Sequence, residues 1–377
     1  MTPIKKEQDM QDATESLRCK NIVVSLLRGQ VPTGGPVGSD MAEIVMQRLA
    51  FTGALGYVNR IGMRSSDPDM IAVYERQRTE FKLNAMRFNH VCLQKTVHVS
   101  GVLSNSKIPH VIVKGPMRQK QLYDDAYVRP SKDTDVLVSP KNFEAAIRAL
   151  KDNGYQSGIH GAHETWYKFF QGQLHMIDGK TDQWSIDLHK RLTQPQVENP
   201  YDDVSWFTDS VLLRHGDTDL PVPRLDYAAL ISSLNIVKAL HRRQAERKTL
   251  GGWRRNTIVH VCDLHVQFQN ADAEEITAFL ATAKRTGLLS TALLALRVTG
   301  AVFDHDFPGI DKAKTKILSG VGDEDLINML LEPSIVTNWP PPHRLLIEMC
   351  RGAPIRMARH LSWYLASILS RRIVVRA

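Results

Sequence analysis

Three stretches of this 377-residue chain carry residue types able to hold a cation and an anion side by side: "VIVKGP" at 111–116, "DTDVLV" at 133–138 and "WSIDLHKR" at 184–191. Alternate residues of a strand share a side, so Asp133 and Asp135 project together while Val136 and Val138 face the other way. Two adjacent carboxylates repel each other unless positive charge lies between them. A divalent ion answers that need, because Mg²⁺ is commonly held by one or two carboxylates together with phosphate oxygens. Alone, an Asp-x-Asp pair is as much the pattern of a solvated strand end as of a metal site.

The other two stretches bear on that choice. In "VIVKGP" a strand ends at Lys114, Gly115 permits close backbone approach, and Pro116 opens a helix whose free N–H groups can receive a phosphate. An ordinary strand-to-helix turn has the same pattern. In "WSIDLHKR", Trp184, Ile186 and Leu188 alternate with Ser185, Asp187 and His189, which puts Asp187 and His189 on the polar face of a strand that otherwise packs into a core. A third carboxylate on a neighbouring strand completes a pocket for two metal ions about 4 Å apart, which binds both the attacking and the leaving oxygen in phosphoryl or nucleotidyl transfer.

Such residues need strands to position them, and the apolar period supplies strands only between about 108 and 192. "HVIV" (110–113) and "TDVLV" (134–138) read as buried strands with "RQKQLYDD" as a helix between them. Ser139-Pro140 then offers an N-cap and first-turn proline to a helix with Phe143, Ala146, Ile147 and Leu150 on one face, stopped by Gly154. "ETWYKFF", "QLHMID" and "WSIDLH" follow, with Asp178-Gly179 as a hairpin turn between the last two.

Helical spacing governs the rest. From Asp67 to Ser104 it includes Ile71, Tyr74, Phe81, Met86, Val91 and Leu93, and after Pro223 it returns in "LDYAALISSLNIVKALHRRQAER", "TIVHVCDLHVQFQN", "AEEITAFLATAKRTGLLSTALLALRVTGAVF" and "IRMARHLSWYLASILSRRIVV". Residues 1 to about 15 read as frayed, and "GQVPTGGPVGSD" (29–40) as a loop. The expected fold is α+β: a small mixed sheet within 106–215, flanked by a helical region 1–105 and a helical domain 216–377.

Composition narrows the partners. With 48 Lys and Arg against 40 Asp and Glu, a net charge of +8 and a pI near 9.3 favour anionic ligands such as nucleotides or nucleic acid. Cys19, Cys92, Cys262 and Cys350 show no Cys-x-x-Cys spacing, which argues against a zinc ribbon or disulfide framework and for reduced thiols. The polar start and the lack of any apolar run near the ~20 residues that span a bilayer lead to the expectation of a cytoplasmic protein with no transmembrane segment.

The order strand, Lys-Gly turn, helix, Arg-x-x-x-Asp-x-Asp-x-Leu-Val, helix, Gly-Tyr, hairpin and Ile-Asp-Leu-His resembles the nucleotidyltransferase superfamily that includes DNA polymerase β. More narrowly, it is similar to a bacterial family of uncharacterised nucleotidyltransferases, through Lys114-Gly115, Arg129, the Asp133 to Val138 strand and Asp187-Leu188-His189. The resemblance covers about 80 residues. It implies Asp133, Asp135 and Asp187 as ligands of Mg²⁺ or Mn²⁺, with Asp187 assisting deprotonation of the acceptor. It also implies Gly115 at the triphosphate, with Lys114, Arg129 and His189 among the nucleotide-binding residues. The reaction implied is transfer of a nucleoside monophosphate from an NTP to an acceptor hydroxyl or phosphate with release of pyrophosphate. The acceptor is left open among a small molecule, a peptide, a protein and RNA.

In one respect the chain departs from the superfamily, which usually has Gly-Ser in the turn where this chain has Gly-Pro; Lys114 or Arg129 would replace the lost hydroxyl. That departure keeps a catalytically silent nucleotide- or RNA-binding module as an alternative. An Asp-x-Asp glycosyltransferase is a further alternative, disfavoured by the Lys-Gly-Pro turn and the third aspartate.

Other motifs carry weaker signals. "KALHRRQAERKTLGGWRR" (238–255) holds seven Lys or Arg and reads either as a triphosphate or nucleic-acid surface, with Trp253 able to stack on a base, or as a solvated helix end. "HVCDLH" (260–265) matches no standard zinc spacing and reads as structural, and His160 and His163 read as loop residues. The C-terminal helix has an apolar face with arginines at both ends, expected to dock on the helical domain rather than on a membrane.

Overall fold

The computed structural model describes residues 3–159, 162–179, 184–193, 200, 205–241, 249–250, 253–254, 256–310, 318, 320–332, 336, 339–350 and 353–374. Four helices come first: α1 (Pro3–Leu27), α2 (Ser39–Thr52), α3 (Leu55–Ile61) and α4 (Pro68–Asn105). Where a frayed terminus was expected, α1 already begins at Pro3; Cys19, Ile22, Val23, Leu26 and Leu27 are buried and anchor its later turns. The loop between α1 and α2 spans most of the Gly/Pro-rich 29–40 segment, whose last two residues, Ser39 and Asp40, already open α2. Helix α4 starts where the sequence provides a cap: Asp67 accepts from the Met70 N–H at 2.9 Å and Pro68 occupies the first turn. Its buried face includes Asn89, Cys92 and Thr96, while Ile71 and Met86 face solvent.

Five strands form one mixed sheet: β1 (His110–Ile112), β2 (Asp133–Val138), β3 (Tyr155–Ser157), β4 (Gln173–Asp178) and β5 (Ser185–His189), in the order β1-β2-β5-β4-β3. Only β2 and β5 run parallel. Between the strands lie α5 (Pro116–Leu122), α6 (Phe143–Asp152) and α7 (Ala162–Trp166). Helix α5 starts two residues before the expected "RQKQLYDD" and stops at Leu122, because Tyr123 is already extended. "ETWYKFF" is helical, ending in a π-helical turn over Tyr167–Gln171 that closes at Gly172 in the left-handed region.

The two sides of the sheet meet different layers. Val136 and Val138 pack with Ile186 and Leu188 against Phe143, Ala146, Ile147 and Leu150 of α6 and against Val99 and Leu103 of α4. Val111, Val113 and Leu137 join the large core that the N-terminal helices share with the C-terminal ones. Each such aliphatic burial is worth roughly 1.5–3 kcal/mol. A one-residue slip of β2 would exchange the valines for Asp133 and Asp135, so packing fixes which side the carboxylates take.

Beyond the sheet come α8 (Ser205–Thr208) and a hairpin of β6 (Val211–His215) and β7 (Thr218–Val222), turning at Gly216 with φ +57°. This hairpin has no counterpart in the sequence reading and straddles the expected boundary at residue 215. Among the described residues the further helices are α9 (Leu225–His241), α10 (Ile258–Phe268), α11 (Ala273–Arg285), α12 (Leu289–Phe303), α13 (Asp323–Leu331), α14 (Pro342–Met349) and α15 (Pro354–Val374). The long pattern at 273–303 breaks into α11 and α12 because Gly287 takes a φ of +76° and Leu288 bonds back to Ala283. Helix α15 docks on the α/β part as well as beside α14: Trp166 Nε1 donates to Ser370 Oγ at 3.0 Å, and Trp363 lies 5.1 Å from both Phe169 and Phe170. Most of the basic 238–255 run, and His160, lie outside the described residues; His163 is in α7. No helix among the described residues is long and apolar enough to cross a membrane.

Candidate active site

The parallel register of β2 and β5 pairs Asp135 with Asp187, and the antiparallel register of β4 and β5 pairs Asp187 with His175. Three side chains able to bind protons or metal therefore cross three adjacent strands in one row. His189, two residues beyond Asp187, reaches back to donate from Nε2 to Asp135 Oδ1 at 2.9 Å. Ligand atoms of Asp135, Asp187 and His189 all lie within 4.8 Å of one another. Two carboxylates and an imidazole at that separation suit a divalent ion of the Mg²⁺ or Mn²⁺ kind, with oxygen donors predominating. Asp133, the first of the expected ligands, falls outside this trio but adjoins it electrostatically.

Lys114 reaches the same carboxylate, its Nζ 3.0 Å from Asp135 Oδ1. It can do so because the turn after β1 lies directly on β2. Gly115 has a φ of +75°, and a Cβ there would sit 2.9 Å from the Asp133 carbonyl oxygen, so glycine is required twice over. The pairing of β1 with β2 continues past its last strand residue, Val113 N donating to Asp135 O at 3.0 Å. From behind, α4 holds β2 with polar groups: Cys92 Sγ donates to Asp133 O at 3.1 Å, and Thr96 Oγ1 meets Thr134 Oγ1 at 2.8 Å.

The carboxylates are electrostatically unequal. Burial, reinforced by the charges of Asp135 and Asp187, pushes the Asp133 carboxyl up to about 6. Burial also opposes ionisation of Asp135, but Lys114 and His189 outweigh it and hold that group well below the usual carboxylate range. Lys114 is pulled down by burial and raised more by Asp135, so it keeps its proton. The hydrogen bond from His175 Nδ1 to Asp187 Oδ1, 2.8 Å long, raises the imidazole above its ordinary value.

Arg129 sits elsewhere than an exposed phosphate ligand would. Its Nε donates to Asp263 Oδ2 at 2.8 Å in a pair whose side chains are 7% and 0% exposed, and another of its nitrogens donates to the Gly115 carbonyl at 3.3 Å. The other oxygen of Asp263 accepts from Tyr123 OH at 2.8 Å. "HVCDLH" thus supplies a brace: Asp263 on α10 ties Arg129, and through it the Lys114-Gly115 turn, to the helical layer. His260, on the same helix, is held well below its ordinary value by burial and by Arg129 and Lys114. Asp263 lies in the "HVCDLH" motif read as structural, whereas His175 and Tyr123 are the residues of this centre that sequence reasoning did not find. For His175 a signal existed, since the alternation of "QLHMID" across the hairpin from "WSIDLH" sets two polar faces side by side.

A family described as uncharacterised nucleotidyltransferase matches residues 57–304, about two thirds of the chain and the whole of the centre just described, and the chain belongs to that family. No curated protein matches it.

Proposed function

We propose that this family member is a divalent-metal-dependent enzyme of the superfamily that includes DNA polymerase β, moving a nucleoside monophosphate from an NTP to an acceptor hydroxyl or phosphate. What carries the reading is the register that sets Asp135 beside Asp187 on parallel strands with the Lys114 ammonium bound to the first. Asp133, Asp135 and Asp187 would hold Mg²⁺ or Mn²⁺, with His189 as an adjoining donor. A bound divalent ion neutralises phosphate charge and favours ionisation of the acceptor oxygen. Lys114 and the Gly115 backbone bind the triphosphate, and Lys114 meets the charge that builds on the departing pyrophosphate. Asp187 orients the acceptor and receives its proton. Arg129, committed to Asp263, serves by holding the turn.

A second reading, a silent nucleotide- or RNA-binding module, draws on the Gly115-Pro116 turn, which lacks a hydroxyl for the terminal phosphates. The excess of basic residues fits an anionic partner on either reading, and the buried cysteines, without Cys-x-x-Cys spacing, fit a reducing cytoplasm. The test is to incubate the protein with each labelled NTP, Mg²⁺ or Mn²⁺ and cell extract, measure pyrophosphate and identify what is labelled. Metal-dependent pyrophosphate release with label on an acceptor is expected. Nucleotide binding without turnover would select the silent module, and release of a nucleoside diphosphate from a nucleotide sugar would select a glycosyltransferase.

A further inference from the structure

The row that crosses the sheet at Asp135 and Asp187 continues to His175 and is walled there by a glycine. β3 ends at Ser157, and Gly158 prolongs its pairing, its N–H donating to the His175 carbonyl at 2.9 Å. A Cβ on Gly158 would lie 2.6 Å from His175 Cδ2 and 3.5 Å from Nε2. Its backbone is not among those with positive φ, so no left-handed conformation calls for glycine there. Only the imidazole needs the space.

An aspartate carboxylate has a broad, two-fold torsion and does not hold one orientation unaided. With Nδ1 of His175 on Oδ1, Asp187 is fixed by a hydrogen bond to a charged acceptor, the stronger kind. His175 is 38% exposed, its Cδ2 edge faces Gly158, and it stands outside the trio of Asp135, Asp187 and His189, so its place is that of a support rather than a fourth ligand. We infer that His175 is a positioning residue, holding one oxygen of Asp187 so that the other is presented to the reacting groups, and that residue 158 is glycine to admit the ring. This role rests on Asp187 belonging to a metal centre.

The experiment is Mn²⁺ binding to the full chain, followed by the electron paramagnetic resonance of the free ion. It is run beside pyrophosphate-release kinetics for wild type, Asp187→Asn, His175→Ala, His175→Gln, Gly158→Ala and the double variant Gly158→Ala/His175→Ala. Loss of the partner of a metal-binding side chain typically costs about 10–100-fold in metal affinity or activity, and His175→Ala is expected to show that loss in Mn²⁺ affinity and in kcat, with KM for NTP little changed. His175→Gln, whose amide can donate to Asp187, recovers most of it. Gly158→Ala weakens Mn²⁺ binding by a similar factor alone and by none when residue 175 is already alanine. Wild-type Mn²⁺ affinity in His175→Ala, with Asp187→Asn impaired, overturns the role of His175. Independent, multiplying effects of the two single variants overturn the role of Gly158, as does unfolding of Gly158→Ala even with alanine at 175. Wild-type affinity in Asp187→Asn is a separate result, which removes the metal centre itself and this role with it.

Discussion

Two buried aspartates, Asp135 and Asp263, are each met by two donors, yet they are built for opposite purposes. On Asp135 both donors, Lys114 Nζ and His189 Nε2, converge on Oδ1, and Oδ2 has no partner among the described residues. On Asp263 both oxygens are taken, Oδ2 by Arg129 and Oδ1 by Tyr123. The lysine is a flexible point charge, 23% exposed, and can leave; the arginine is a rigid fork closed inside the protein. One carboxylate keeps spare coordination at a movable ion pair, as a site requires. The other has none left, as a brace requires.

If that division is right, removing charge from the site removes chemistry and leaves the fold. Asp135→Asn and Asp187→Asn should each lower pyrophosphate release by about 10⁴-fold, equivalent to about 5.5 kcal/mol of transition-state stabilisation. Wild-type rates in either, measured at saturating Mn²⁺, would make Asp135 as structural as Asp263.

The brace should fail in the reverse manner. Arg129→Met leaves Asp263 buried without its ionic partner, and breaking a buried pair costs about 3–5 kcal/mol. Denaturant unfolding should register a larger loss in Arg129→Met than in Lys114→Met, because Asp135 keeps its second donor, His189, when the lysine is gone. Equal destabilisation by the two variants would erase the distinction between them.

This contrast also marks how far the sequence could be read. The period-2 alternation of "TDVLV" and "WSIDLH" made the carboxylates and their valine and leucine backs legible, because a strand's two faces are written into alternate residues. Which strands pair, and in what register, is not local, so the alignment of Asp135 with Asp187 and His175 could not be read. Arg129 and Asp263 are 134 positions apart, with nothing local to join them. Helix α4 was recognised as a helix, but the face it turns to β2 is Asn89, Cys92 and Thr96, whose polar groups bond the strand and the segment leading into it and so fall outside an apolar count. The break between α11 and α12 hangs on one left-handed glycine, and the hairpin of β6 and β7 is too short to stand out from its surroundings.

Lys114 sharpens the comparison because its removal should have two effects of opposite sign. Without NTP, its ammonium holds the carboxylate a cation would use. Lys114→Met should therefore bind Mn²⁺ more tightly than wild type, while its NTP affinity falls by roughly 1.5–3 kcal/mol, the value of a charge-assisted hydrogen bond. Calorimetric titration with Mn²⁺ and with a non-hydrolysable NTP measures both. Weaker Mn²⁺ binding in the variant would show that the lysine supports the metal site instead of competing for it.

The last effect concerns Asp133, where the site should carry a stability cost that the brace does not. Burial and the two neighbouring carboxylates lift its pKa from the ordinary 3.8 to about 6. For an acid the sign follows directly: between those values the folded chain holds a proton that the unfolded chain has lost, so stability falls as pH rises through the window. Below it, both states are protonated and the cost vanishes; above about 6 the full cost is present. Asp133→Asn removes the charge at nearly constant volume. It should be more stable than wild type at pH 8 by up to about 3 kcal/mol, and no more stable at pH 3.5. Saturating Mn²⁺ at pH 8 should reverse the order, because the ion compensates three carboxylates in wild type and two in the variant. Thermal melts at the two pH values, with chelator and with Mn²⁺, decide it: a difference independent of pH would place the cost outside Asp133, whereas a pH-dependent difference that Mn²⁺ cannot reverse would leave Asp133 buried beside the centre without being one of its ligands.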